Sequence, residues 1–297
     1  MIIVRIKGGL GNQLFQYALA RSISIRHRIP FKLDVHSGFM QDHRGRKYGL
    51  CHFNIIENVA SSSECDRIYP GRGMKQKWFH LIQRRGVPFS RRILVEERVR
   101  HFDPAVLRRS YDRHVVLDGF WQTEKYFSHI RQVLQKELTI KYNITGLNRD
   151  ILKEIRSTES VCIHVRRGDN ANKPDSIIKY GTPGLSYYIH AIEFMASRIR
   201  NPRFFIFSDD PNWTEKNIKP SYRHHYIIHN GDDKNFEDFR LMQNCKHFII
   251  SNSTFGWWPA WLGSDPGKIV VAPDPWYRNP SFFNRDLIPD RWHQMES

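Results

Sequence analysis

The sequence predicts an α/β protein of two Rossmann-like halves facing each other across a cleft. Three observations lead there. Short β-branched runs alternate with amphipathic helical windows, the pattern of strand–helix–strand units in a parallel sheet. The pattern halts at Lys141-Tyr142-Asn143 and restarts, which puts a boundary near residues 143–148. The length of 297 residues suits two units of about 100–200 residues each. In such sheets, ligands bind at the carboxyl ends of the strands.

The elements follow in order. Residues 1–6, rich in Ile and Val, read as the first strand and run into Gly8-Gly9-Leu10-Gly11, after which a helix spans 12–28. Residues 31–35 and 115–120 read as further strands, and 124–138 as a helix. These elements and a basic insertion at 67–114 make a first domain, 1–145. The second domain, 146–297, opens with a helix at 147–156 and a strand at 160–165. Strands at 203–208, 224–229, 247–251 and 268–272 then alternate with helices at 187–200, 235–244 and 255–262.

A hydrophobic fraction of 40% and an aromatic fraction of 13% exclude a disordered chain. Lys and Arg total 46 against 30 Asp and Glu, a net charge of +16 that calls for an anionic partner. Residues 67–114 hold 13 basic and 4 acidic residues, over half of that excess. Trp78, Phe79, Leu81 and Ile82 interleave with them. The segment is either an amphipathic patch for an anionic membrane surface or a phosphorylated acceptor, or a solvated insertion packed on its domain. Cys51, Cys65, Cys162 and Cys245 form no Cys-x-x-Cys pair, so reduced thiols are expected. The opening strand lacks the features of a signal peptide, and no apolar run approaches about 20 residues. A soluble, cytoplasmic protein is expected.

Two turns carry anion-binding chemistry. The strand at 160–165 leads into His164-Val165-Arg166-Arg167-Gly168-Asp169. Adjacent guanidinia are costly to desolvate unless an anion or carboxylate meets them, and Arg suits bidentate phosphate recognition. Asp169 is placed to orient one of them; a plain surface Arg pair is the alternative. The strand at 247–251 leads into Ser251-Asn252-Ser253-Thr254-Phe255-Gly256-Trp257-Trp258. Free N–H groups at a helix start and nearby hydroxyls bind anions; simple N-capping by Ser253 or Thr254 is the alternative. One diphosphate bridging both turns accounts for the pair. Gly8-Gly9-Leu10-Gly11-Asn12-Gln13 fails the dinucleotide fingerprint, since Leu14 stands at its third glycine position. It leaves open a close backbone approach to a ligand, with Asn12 offering an amide. No Asp-x-Asp, His-Glu-x-x-His or Gly-x-Ser-x-Gly occurs.

Taken together, these motifs resemble those of glycosyltransferase family 11, the α-1,2-fucosyltransferases. The N-terminal match is Gly8-Gly9-Leu10-Gly11-Asn12-Gln13-Leu14-Phe15-Gln16-Tyr17 and Gly119-Phe120-Trp121-Gln122-Thr123-Glu124-Lys125-Tyr126-Phe127. His164-Val165-Arg166-Arg167-Gly168-Asp169 looks like the His-x-Arg-Arg-x-Asp motif shared with the α-1,6- and protein O-fucosyltransferases. Phe207-Ser208-Asp209-Asp210-Pro211, Asp238-x-x-Leu241-Met242-x-x-Cys245, residues 252–258 and Val271-Ala272-Pro273 extend the resemblance to about residue 280. Without an anchor, the bacterial type is the closer likeness.

The resemblance implies a GT-B fold, with an acceptor-side N-terminal domain and a C-terminal domain that binds the donor GDP-β-L-fucose. It implies inversion at the anomeric centre, no cofactor and no metal. Arg166 would contact the β-phosphate, with Arg167 assisting or bracing the loop. Ser253, Thr254 and Phe255 would hold the diphosphate, and His164 and Asp238 would meet guanine and ribose. Asn12 would reach the phosphate or sugar from the other domain. Arg166, Asn12 and Asp169 are the catalytic candidates; for the base, Asp34, Glu124 and Asp169 stay open. The expected acceptor is O2 of a terminal β-galactoside in a glycan or surface-polysaccharide precursor. A different linkage or acceptor is the nearer alternative. A nucleic-acid-binding module is the remote one, as the charge is concentrated in one insertion and no base-stacking signature is present. No nucleic-acid partner is expected, while peripheral contact with the anionic inner face of a membrane is a role open to the basic segment. Phe120-Trp121 stands where Tyr-Phe is more usual, and Gln243 and Gly256 each replace a frequent Ser, which bears on acceptor choice.

Overall fold

Ile2, Ile3 and Val4, β-branched and almost wholly buried, form the central strand of the first of two units. The computed structural model describes every residue except 41, 43, 69–92, 96–100, 112–114, 169–176, 179 and 280–284. The first unit holds Met1–Leu138 and Arg285–Leu287, and the second holds Thr139–Asn284 and Ile288–Ser297.

The first unit runs β1 (Ile2–Arg5), α1 (Leu10–His27), β2 (Phe31–Asp34), α2 (Ser62–Ile68), β3 (Ile93–Val95), α3 (Pro104–Arg108), β4 (Val115–Asp118) and α4 (Arg131–Glu137). Its described strands form one parallel sheet in the order β2-β1-β4-β3. Helix α1 buries Leu14, Phe15, Tyr17, Ala18, Leu19 and Ile23, and ends where Arg28 turns left-handed at φ 56°. At the carboxyl edge, Asp118 takes Lys7 Nζ at 2.6 Å and Arg5 Nη1 at 3.1 Å. Burial alone would raise its pKa; the two cations outweigh burial and lower it. Residues 285–287 join this unit through Asp286, which accepts the Phe102 N–H at 2.9 Å and pairs with Lys125.

The second unit runs α5 (Gly146–Ser157), β5 (Glu159–Val165), α6 (Leu185–Ala196), β6 (Pro202–Ser208), α7 (Pro211–Asn217), β7 (His224–Ile227), α8 (Asn235–Gln243), β8 (His247–Ile250), α9 (Thr254–Leu262), β9 (Val270–Asp274) and β10 (His293–Glu296). The sheet order is β10-β9-β8-β5-β6-β7, parallel throughout. Val161, Ile163 and Val165 face α6 in one core with Phe204, Ile206, Ile249 and Val271, while Cys162 and His164 alternate to the other face. Trp257, Trp258 and Trp261 of α9 are fully buried, with ring centroids 5.2–6.0 Å apart.

Both units are therefore α/β with parallel sheets, as the alternation predicts. The helix expected at 124–138 is a correction. It consists of two 3-10 turns, Glu124–Tyr126 and Ser128–Ile130, followed by α4. Thr123 Oγ1 caps the first turn, and Phe127 at φ −143° breaks the spiral so that Tyr126 and Phe127 can both be buried. Strands β3 and β10 and helices α2, α3 and α7 are additions to the expected set. Most of the basic segment at 67–114 lies outside the described residues. Among the described residues the cysteines are free, and no helix is long and apolar enough to cross a membrane.

Candidate functional site

In the second unit, β5 is hydrogen-bonded to β6 on one side and to β8 on the other. The three turns that leave their carboxyl ends are consequently neighbours. Arg166 and Arg167 follow β5, Asp209 and Asp210 follow β6, and residues 251–253 follow β8 into α9. Sheet order is what gathers these polar groups.

Asp209 organises the arginine turn. Its Oδ2 accepts from Arg166 Nη1 at 2.8 Å, and its Oδ1 accepts the Arg167 backbone N–H at 2.8 Å. Gly168 is required beside it, because a Cβ there would collide with Asp209 Oδ2. The Arg166 side chain stays 35% exposed, and of its five N–H donors the one on Nη1 meets Asp209. Arg167 is braced instead. Its guanidinium lies 3.8 Å from the centre of the Trp213 ring, and its Nε points at Asp210 Oδ2, 3.4 Å away. Asp210 also accepts the Trp213 N–H at 3.2 Å and caps α7. Behind this turn the Tyr188 hydroxyl is buried, and its pKa is pushed up by burial first and by Asp209 second.

His164 joins the two turns. It is 5% exposed, its Nδ1 is 3.0 Å from Ser251 Oγ, and its ring centroid is 5.8 Å from that of Phe255. Burial, with the charge of Arg166 second, pushes its pKa down to about 3. The imidazole is therefore neutral at physiological pH. Ser253 is the N-cap of α9 and accepts the Phe255 N–H at 3.3 Å, so capping and an anion would share that donor. Asn252 is 8% exposed; its Nδ2 donates to the carbonyls of Tyr180 and Gly181, and its buried Oδ1 has no partner among the described residues.

Asp238 lies on α8, where its Oδ1 accepts from Asn230 Nδ2 at 2.7 Å. Burial raises its pKa to about 6, with Glu237 adding to burial and the Asn230 bond opposing both. Asn230 is tied to Asn148 at 2.7 Å, which links Asp238 to the start of α5. Asp169 falls outside the described residues.

In the first unit, Asn12 sits in the opening turn of α1 and accepts from Gln122 Nε2 at 2.7 Å. Gly8, at φ 77°, brings the backbone so close that a Cβ would stand 2.7 Å from Asn12 Nδ2. Gln13 and Gln16 are structural clamps. Gln13 Nε2 donates to Gly8 and Lys47 carbonyls, and Gln16 Nε2 to Lys7 and Gly119 carbonyls. Asp34 is corrected as a base candidate. It is fully buried and its carboxylate accepts the His36 and Ser37 N–H groups and the Ser37 hydroxyl, so it closes the loop after β2.

The structure thus brings together Arg166, Arg167, His164, Ser253, Thr254 and Phe255 at adjoining turns. It adds Asp209, Asp210, Ser251 and Trp213, to which sequence reasoning gave no role. The Asp209-Asp210 pair right after β6, like the Arg pair right after the preceding strand β5, was the available signal. Among the described residues no cluster of His, Cys, Asp and Glu could hold a metal ion.

Comparison with known proteins matches residues 101–296 to the family described as Glycosyl transferase family 11. The chain is 31% identical over 303 residues to the Alpha-1,2-colitosyltransferase of Escherichia coli, covering 100% of this chain and 99% of that one. It is 28% identical over 174 residues to the Galactoside 2-alpha-L-fucosyltransferase SEC1 of Bos taurus, covering 57% of this chain and 45% of that one. Among solved structures it is similar to NodZ alpha-1,6-fucosyltransferase from Bradyrhizobium, soaked with GDP-fucose. The TM-score is 0.51 at 14% identity, over 91% of this chain and 94% of that one. That likeness is one of fold, the GT-B class built from two parallel α/β units.

Proposed function

The chain belongs to glycosyl transferase family 11 and is a glycosyltransferase, and from that premise we propose that it moves L-fucose from GDP-β-L-fucose to O2 of a terminal β-galactoside, with inversion and without a metal. The observation that carries this reading is the pairing of Arg166 with the start of α9 on hydrogen-bonded neighbouring strands. A guanidinium with unspent donors and a helix N-terminus suit the two phosphates of one diphosphate. The fucosyl names of the family relatives and of NodZ support the sugar and the nucleotide.

Departure of a nucleoside diphosphate leaves an oxocarbenium-like sugar, so the chief demand is fixed positive charge at the leaving oxygens. Arg166, held by Asp209 in advance, meets that demand without rearranging. Arg167 braces the turn. Neutral His164 contributes a hydrogen bond beside Phe255, and Asp238, held by Asn230, meets the nucleoside. Ser253, Thr254 and the Phe255 N–H close on the diphosphate. Within the first unit, Asn12 and Gln122 form an amide pair at the opening of α1, suited to hydrogen-bonding a sugar or a phosphate. The base that takes the acceptor proton is Asp169 or Glu124.

The colitosyl relative supports a second reading, in which the sugar lacks the 3-hydroxyl of fucose. The deciding experiment is turnover of both GDP-sugars with lactose in EDTA, with products mapped by linkage. Fucose on O2 of galactose with EDTA present is the expected result. Transfer only of the deoxygenated sugar selects the second reading, and loss of activity in EDTA refutes the metal-free mechanism.

A further inference from the structure

At the amino edge of the second unit's sheet lies a separate cavity of about 1170 Å³. Its walls come from the starts of the strands: Glu159 opens β5, Pro202 and Arg203 open β6, His247 opens β8, and Ile269 precedes β9. Strand β5 carries Glu159 at this edge and Val165 at the other. Its length puts the cavity about 20 Å from the arginine turn, so one small ligand does not span both.

Arg198, Arg200, Arg203 and Arg223 are among the residues that line this cavity. Arg198 is fixed, with its guanidinium 3.7 Å from the centre of the Phe194 ring and a hydrogen bond to the Phe194 carbonyl at 3.3 Å. Arg203 pairs with Glu154, yet its Nε is buried and has no hydrogen-bond partner among the described residues. Arg200 and Arg223 are exposed and meet no carboxylate among the described residues. Phe204 pairs with His224 across β6 and β7, and the Phe204 N–H bonds the Arg223 carbonyl at 2.9 Å. Arg203 and Arg223 therefore stand side by side on adjacent strands, about 4.8 Å apart along the hydrogen-bonding direction. Like charges in that position repel.

Of the carboxylates nearby, Glu154 relieves Arg203 alone among the four arginines. Glu154 is shared by Arg203 and His225, Glu159 binds Lys246 at 2.6 Å, and Glu193 accepts the Tyr222 hydroxyl at 3.1 Å. Buried His247 accepts the Ile269 N–H at Nδ1, and burial, the largest influence, lowers its pKa, so it adds a neutral wall. What results is a concave surface with four arginines and an excess of positive charge, which concentrates anions, and a guanidinium can match phosphate oxygens two at a time.

We propose that this cavity binds a diphosphate-bearing ligand at a site distinct from the catalytic turn. The diphosphate belongs either to a soluble metabolite or to a lipid headgroup. The test is calorimetric titration of inorganic pyrophosphate into the full chain and three variants. Arg200→Ala with Arg223→Ala should weaken binding at least tenfold. Arg166→Ala should leave a site of wild-type affinity, and Lys136→Ala with Lys141→Ala controls for an equal loss of charge. Both arginine side chains are exposed, so the double variant should melt within a few degrees of wild type. Binding unchanged in that variant, equally weakened in the lysine control, or abolished by Arg166→Ala alone would overturn the proposal. Vesicles of phosphatidylcholine with diacylglycerol pyrophosphate separate the sources. Capture that pyrophosphate competes away, and that needs Arg200 and Arg223, identifies a lipid phosphate; pyrophosphate binding without vesicle capture identifies a soluble one.

Discussion

Gly256 and His164 stand so close that a Cβ on the glycine would lie 2.5 Å from the imidazole Nδ1. That same nitrogen is 3.0 Å from Ser251 Oγ. At this separation of α9 and β5, any side chain on residue 256 would meet the imidazole.

Gly256→Ser should push the ring off Ser251 and disturb both turns. Overpacking of this kind costs about 1–3 kcal/mol. Denaturant unfolding should show that loss, and GDP affinity measured by calorimetry should fall with it. Unchanged affinity would mean that His164 has no part in nucleotide binding.

Arg166→Ala should lower transfer by about 10²–10³-fold, the scale for removing a group that stabilises developing charge, and should weaken GDP binding. Asp209→Asn should give a smaller loss in kcat, because the guanidinium keeps its charge and loses its fixed position. Arg167→Ala should be milder than Arg166→Ala; equal losses would place Arg167 on the phosphate too. Steady-state kinetics on the three variants checks the ranking.

His164 and Asp238 should oppose each other in acid. The His164 pKa is pushed down to about 3, against about 6.5 in the unfolded chain. As pH falls from about 6.5, the unfolded chain takes up a proton that the folded one refuses, and stability drops. The Asp238 pKa is raised to about 6, so its folded carboxyl holds a proton between about pH 4 and 6 that the unfolded carboxylate lacks. Its contribution is present below about 4 and is lost as pH rises through 6. Relative to wild type, His164→Gln should gain stability as pH falls from 6.5 to 4, and Asp238→Asn should gain as pH rises from 4 to 7. Chemical denaturation across that range reads both slopes.

Trp261→Ala should destabilise the second unit by about 3–5 kcal/mol, since its ring is fully buried against Trp257 and Trp258. Thermal unfolding followed by tryptophan fluorescence measures this directly.

The parallel strands were legible because Ile2–Arg5, Glu159–Val165 and Pro202–Ser208 bury nearly every residue, and a continuous apolar run admits few other readings. β10 was not legible, as His293–Glu296 is mostly exposed and polar and depends on pairing with β9. The 124–138 segment reads as helix because its apolar spacing suits one, while the need to bury both Tyr126 and Phe127 decides otherwise. Arg166 and Ser253 could be found from turn chemistry next to their strands. The role of Asp209 could not, since it depends on β6 lying beside β5, which local sequence does not encode.

The two bonds that Asp209 makes to the arginine turn also bear on how quickly the enzyme empties itself. On the proposed reading, a carboxylate already seated on the Arg166 guanidinium is an internal competitor for the diphosphate. It never diffuses away, so its effective concentration is set by the fold and owes nothing to the solution. For a nucleotide product, each loosening of the phosphate finds a rival anion waiting at hydrogen-bond distance. Affinity given up in this way shortens residence time, and turnover gains wherever release limits it.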